Sequence, residues 1–317
     1  MSHEIETMAY AGRVPWHGLG VEVTGDLTPY QMQQKADLDW RVETAETHAF
    51  FGEDIISTGT KALIRESDHK VLAPMIGKDW EPVQNTEAFE FFNEFCAAGD
   101  MEMHTAGSLK GGQIVWVLAK IKESFDVLEG DRVDNYLLFS NPHMYGKSIN
   151  VRMTPTRVVC NNTLQMSLSA TSKNEVSLNH RRKFDANLVK QQMGIASEKF
   201  DQYREFSRFL ASKKAGMSDV IQFMNGVFPH SNTKGKEVDK YEALSPTAKS
   251  AFDVIDTQPG AEFARGTWWN ALNAVTFTTD HVLGRTADAR LTSAWYGHNA
   301  KRKLVAVNSA IKYAEAA

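Results

Sequence analysis

The chain is poor in the residues that mark several functional classes. Two cysteines in 317 residues, Cys96 and Cys160, cannot build a disulfide framework, and a reducing cytoplasm is the compartment that suits them. No run of about eighteen apolar residues occurs, so a membrane span is not expected. The opening MSHEIETMAY lacks an apolar signal core, and no secretory leader is expected either. There is no HExxH, and the histidines and carboxylates are scattered, so no metal and no cofactor is expected. Net charge is -4, which argues against a uniformly basic coat. A local basic stripe on an acidic body remains open, because binding follows the local field.

What is present points to a globular protein. Hydrophobic content of 42% and charged content of 23% are ordinary for a folded chain, and the length allows one large domain or two smaller ones. The first distinctive stretch is the glycine-rich loop Gly12–Val21, GRVPWHGLGV. No strand signal precedes it and no GK[ST] follows, so it reads as a shaped loop pinned by Trp16 and not as a phosphate cradle. Thr28 caps a short helix with Pro29 in its first turn. From Trp40 to Ile76 the pattern alternates as short strands do, and TEAFEFFNEFCAA from Thr86 reads as a helix whose Phe89, Phe92, Phe95 and Cys96 share a core face.

Met101–Leu109 and Gln113–Ile121 flank the turn Lys110-Gly111-Gly112, which predicts a hairpin. Asn135–Ser140 and Ser148–Thr154 form another, ended by Pro155, and Val158–Ser169 reads as a helix. Beyond Ser172 the pattern turns helical: a long helix over 184–213, then others over 217–228, 246–256, 267–280, 287–295 and 299–314. The expected fold class is α+β, an N-terminal antiparallel β-meander domain with packed helices over residues 1–172 and a mostly helical region over 173–317.

Between Lys147 and Lys183 the basic residues are Lys147, Arg152, Arg157, Lys173, Arg181, Arg182 and Lys183, with Glu175 the one acid. That excess is the main electrostatic feature of the chain. Arg152 and Asn150 share one face of their strand. Arg157, at the start of the expected helix, joins guanidinium to helix N–H groups, which suits phosphate. Asn161 adds an uncharged donor, and Tyr145 a face on which a base can stack. Cys160, next to Asn161 and Asn162, could suggest a nucleophile. A cysteine closing the apolar run VVC is more often a small buried hydrophobe, so no catalytic residue is assigned. Trp268-Trp269 reads as core.

Three blocks, GRVPWHGLGVEV, NVRMTPTRVVCNNTLQMSL and WWNALNAVTFTTDH with SAWYG, resemble the uncharacterised phage/plasmid-like protein family, a domain of unknown function. Arg157–Leu164 is the most specific of its marks. The resemblance implies a phage, plasmid or integrated-element setting in a bacterial cytoplasm and brings no catalytic residues. The order of helix, β-meander and helix with basic residues on the sheet is also similar to phage single-strand annealing proteins. That likeness implies non-catalytic single-stranded DNA binding and strand annealing along a basic groove of a homo-oligomeric ring or filament. The candidate contacts are Lys147, Arg152, Arg157, Asn161, Arg181, Arg182, Lys183 and Tyr145, and the candidate partners are an exonuclease or a single-strand binding protein. The alternative expectation is an interaction protein that inhibits or modulates a host factor.

Overall fold

The computed structural model describes residues 5–12, 20–157, 162–163, 175–181, 184–189, 196–286, 289–290, 293–294 and 297–317. The chain is α+β, with sheets in its first half and a helical C-terminal region. It divides into two compact units that interleave in sequence. The first comprises Met1–Lys122, Tyr136–Met153 and Glu175–Gly194, and the second comprises Glu123–Asn135, Thr154–Asn174 and Ile195–Ala317. Among the described residues, no helix is long and apolar enough to cross a membrane.

The strands of the larger sheet are β1 (Ile5–Ala11), β2 (Val21–Val23), β6 (Met101–Leu109), β7 (Ile114–Asp126), β8 (Arg132–Pro142), β9 (Ile149–Arg157), β10 (Asn162–Thr163) and β11 (Glu175–Leu178). Their order is β10-β9-β8-β7-β6-β1-β2, with β11 also on β9. Ile5–Ala11, which shows no strand signal, is a strand because it fills an interior place, antiparallel to β6 and parallel to β2. The β6–β7 hairpin forms as its turn predicts, with Lys110, Gly111 and Gly112 all at positive φ. Gly107 on β6 lies under the Trp116 ring, and a Cβ there would sit 2.5 Å from the Thr7 carbonyl oxygen.

Two expectations at the end of β9 fail for linked reasons. The strand does not stop at Pro155. On one side of β9, β11 takes residues 149–152 and β10 takes 156–157. Pro155 falls in the interval between these two pairings. Asn162 and Thr163 are paired to Arg157 and Thr156 as a strand, so the expected helix over 158–169 is absent there. Residues 158–161 and 164–169, the rest of that expected helix, lie outside the described residues.

The first unit's core joins Met32, Ala36 and Leu38 around α1 (Pro29–Lys35) to Met103, Val115, Val117, Leu137, Phe139, Ile149 and Val151 of the sheet. Thr28 caps α1 through a reciprocal box with Gln31. The helix expected over 86–98 is two pieces, α2 (Asn85–Glu90) and α3 (Asn93–Ala97). The break lets Phe91 as well as Phe89 and Phe92 enter the core, where Phe91 meets Phe139 and Phe184. Cys96 packs against this core, and burial pushes its thiol up to about 11.

A three-stranded sheet, β3 (Val42–Phe51), β4 (Asp54–Arg65) and β5 (Val71–Ile76), completes the unit. Val42, Leu63, Leu72, Ile76 and Trp80 form its core. The short strands expected over 40–66 are one long hairpin, closed by Gly52 at φ 63° and Glu53.

In the second unit the helices are α4 (Ala196–Ser212), α5 (Met217–Val227), α6 (Pro246–Asp253), α7 (Trp268–Phe277) and α8 (His298–Ala316). Every residue of α7 from Trp268 to Thr276 is buried. Trp268 stacks on Tyr313 with centroids 5.0 Å apart, as its core assignment requires. A π turn, Thr278–Val282, follows α7.

Candidate nucleic-acid interface

The expected contact residues separate once the register of β9 and β11 is known. Leu178 faces Ile149 and Glu175 faces Arg152 in an antiparallel ladder. The chain therefore leaves β11 toward Arg181 at the end where the β8–β9 turn presents Tyr145 and Lys147. All three residues are exposed. Arg152 lies half-buried toward the other end, across from the one acid of the basic stretch. Arg157 is on β9 next to Asn162. Asn161, Arg182 and Lys183 lie outside the described residues, as do Lys173 and Cys160.

Beneath Tyr145, Lys147 and Arg181 is a buried polar platform. Tyr145 and Lys147 belong to a turn anchored at His143, whose N–H donates to the Gln113 carbonyl at 2.8 Å. The His143 ring is buried, and its Nε2 donates to Asn85 Oδ1 at 3.1 Å. The Asn85 amide in turn donates to the Trp40 carbonyl at 3.3 Å, and the Trp40 and His143 rings meet edge-on at 5.6 Å. Asn141 donates to the Val83 carbonyl at 2.8 Å. Arg181 follows His180, which stacks on Trp80 with centroids 4.0 Å apart and donates from Nδ1 to the Glu81 carbonyl at 3.3 Å. The Glu81 N–H returns a bond to the His180 carbonyl at 2.7 Å.

Burial lowers His143 to about 3, with the His180 charge adding to the effect, and lowers His180 to about 4. Both rings are therefore neutral at physiological pH. They hold the two exposed turns in place and add no positive charge of their own. The surface can offer a guanidinium, an ammonium and an aromatic face. That set suits an extended phosphate backbone with bases free to stack.

The first unit's cleft of about 640 Å³, lined by Glu6, Asp37, Asp39, Trp40, Arg65 and Asp68 among others, has the wrong sign for phosphate. Arg65 is committed inside it. It donates to both Glu6 oxygens at 2.8 and 2.9 Å, to Asp68 at 2.8 Å, and lies over the Trp40 ring at 5.3 Å. Arg65 holds Glu6 and Asp68 below the usual carboxylate range.

The two most distinctive blocks of the sequence meet in the second unit, where β10 packs on α7. Much of their polar chemistry holds the fold. Trp269 donates to Asp131 at 2.9 Å, Asn270 to the Ile255 carbonyl at 2.9 Å, and Asn273 to the Trp269 carbonyl at 2.8 Å. Lys303, unlike its exposed neighbour Lys301, is fully buried and bonded to Asp280 at 2.8 Å. A signal for this existed, because Asn299, Lys303, Ala306, Ala310 and Ala314 recur at helical spacing and form the buried stripe of α8. Among the described residues, no three His, Cys, Asp or Glu side chains group as metal ligands would.

A family model described as a domain of unknown function (DUF932) matches residues 74–295. No curated protein and no solved structure matches the chain.

Proposed function

The chain belongs to the DUF932 family, a domain of unknown function, and from its own residues we propose that it binds single-stranded DNA without catalysis and promotes strand annealing. The observation that carries this reading is the register of β11 on β9, which sends Arg181 to the same end of the ladder as Tyr145 and Lys147. Lys147 and Arg181 neutralise successive phosphates, and Tyr145 stacks on a base without reading its identity. Arg152, in register with Glu175, adds less, and Asn161, Arg182 and Lys183 lie outside the described residues.

Two or three phosphate contacts per copy bind weakly. A homo-oligomeric ring or filament lines such sites up, so that one strand gains from many of them. The setting is the cytoplasm of a bacterium carrying a phage or plasmid, and an exonuclease or single-strand binding protein is a fitting partner. One observation favours the alternative of a host-factor modulator: the exposed apolar tip of the β3–β4 hairpin.

The test is anisotropy of a fluorescein-labelled oligothymidylate across a salt series. Binding should weaken with a log–log slope of about -0.7 per phosphate neutralised. The pair Lys147→Ala and Arg181→Ala should remove about 1.4 from that slope per copy engaged. No binding at low salt, or a double variant that binds like the parent, defeats the proposal.

A further inference from the structure

The β3–β4 hairpin extends beyond the sheet that supports it. β5 pairs with β4 only from Lys61 to Ile64, so among the described residues no third strand joins the outer part of the ribbon. At the boundary the register shifts between Glu46 and His48, opposite Ser57–Lys61. Thr47 donates there to the Thr60 carbonyl at 3.0 Å, and Thr58 to the Thr47 carbonyl at 2.9 Å. Such a bulge bends and twists the ribbon at a defined place.

Beyond the bulge both faces carry exposed apolar side chains. Phe50 pairs with Ile55 on one face, and Ala49 with Ile56 on the other, the face that also bears Phe51. Phe50 is 78% exposed, Phe51 76%, Ile55 66% and Ile56 51%. At that exposure Phe50 and Phe51 each present about 150 Å² of apolar surface, one on each face, and Ile55 and Ile56 enlarge the two patches. A free two-stranded ribbon is marginal in water, so this tip has reason to be covered.

Charge indicates what covers it. From Val42 to Thr60 there is no lysine or arginine, while Glu43, Glu46, Glu53 and Asp54 are all present. An anionic lipid surface or a nucleic acid would repel such an arm. The surface that complements it is cationic and apolar, and the chain carries one. On α8, Lys301, Leu304, Val305, Asn308 and Lys312 recur at helical spacing, and all are exposed. Two aliphatic side chains are thus flanked by ammonium groups about one and two turns away, matching an apolar tip that ends in Glu53 and Asp54.

We propose that the β3–β4 arm of one copy docks on the exposed face of α8 of a second copy. The face bearing Phe51, Ile56 and Asp54 covers Leu304 and Val305, Phe50 at the tip flanks the contact, and Glu53 and Asp54 pair with Lys301 and Lys312. The contact is heterologous, so repetition closes a ring or extends a filament. It deepens the oligomeric part of the reading above, on which its purpose rests, and it is tested without DNA so that the two can fail separately.

Analytical ultracentrifugation of the full chain at micromolar concentration should show an oligomer. Phe50→Ser with Phe51→Ser, at exposed positions, should leave the circular dichroism unchanged and yield monomer. Two charge-reversed chains, one with Glu53→Lys and Asp54→Lys and the other with Lys301→Glu and Lys312→Glu, should each weaken self-association by at least about tenfold. Mixing them should restore assembly, because every arm then finds a helix of opposite sign. A monomeric parent, an oligomer indifferent to the arm variants, or reversed chains that fail to assemble on mixing overturns the proposal. Monomers captured by phosphatidylcholine vesicles through Phe50 and Phe51 would also overturn it, with a bilayer as the occupant.

Discussion

Acid should loosen the surface that carries Tyr145, Lys147 and Arg181, and the loss can be assigned to two rings. Burial depresses His143 to about 3 and His180 to about 4 in the folded chain, from an ordinary 6.5. The unfolded chain therefore binds protons that the folded chain refuses, and stability falls as pH drops below 6.5 toward those values. At about pH 5 each histidine sits roughly 1.5 units below its unfolded pKa, worth about 2 kcal/mol per ring. The two together cost about 4 kcal/mol, a large part of a domain's usual ~5–15 kcal/mol. Glu6 and Asp68 do not mimic the effect, because Arg65 lowers their folded values and their contribution is lost only nearer the ordinary carboxylate range of 4.5 and 3.8. Urea unfolding followed by tryptophan fluorescence near pH 7.5 and near pH 5 measures the loss. His143→Gln should halve it, since a glutamine amide can still donate toward Asn85, and adding His180→Gln should nearly abolish it. A double variant that loses as much stability in acid as the parent would refute the reasoning. So would an imidazole that titrates near 6.5 in the folded chain by NMR.

Other perturbations have equally direct readouts. Lys303→Ala removes the buried ammonium bonded to Asp280 and should cost about 3–5 kcal/mol, whereas Lys303→Met with Asp280→Leu should cost less; chemical denaturation of both compares them. Gly107→Ala drives a methyl group into the Trp116 ring and the Thr7 carbonyl, and should cost about 1–3 kcal/mol by the same assay. Arg65→Ala leaves Glu6 without its bidentate partner, and a loss of roughly 2–4 kcal/mol is expected in thermal or urea unfolding. If Glu6→Gln combined with Arg65→Ala were no better tolerated than Arg65→Ala alone, a carboxylate left with only Lys70 and Ser108 would not be the cause.

The sequence by itself determined the α+β class, the β6–β7 turn and the C-terminal helices near 217–228, 246–256, 267–280 and 299–314, while the helix expected over 287–295 falls largely outside the described residues. Each of these follows from local periodicity or from glycine and proline chemistry within a few residues. It also located the basic stretch and the family, which depend only on residue order. Tertiary structure decided the rest. Ile5–Ala11 is a strand because β6 and β2 supply its partners, and 158–169 loses its helical expectation at Asn162 and Thr163 because β9 offers them a ladder. The same holds for charge: Lys301 and Lys303 look alike in the chain, yet one is solvated and the other is buried against an aspartate 23 residues away. The basic stretch, continuous in sequence, is divided by the pairing of β11 on β9, which takes Arg181 to the end occupied by Tyr145 and Lys147 and leaves Arg152 opposite Glu175. Sequence carries the sign of a charge, and only the packing of distant elements sets whether water, a partner or a ligand meets it.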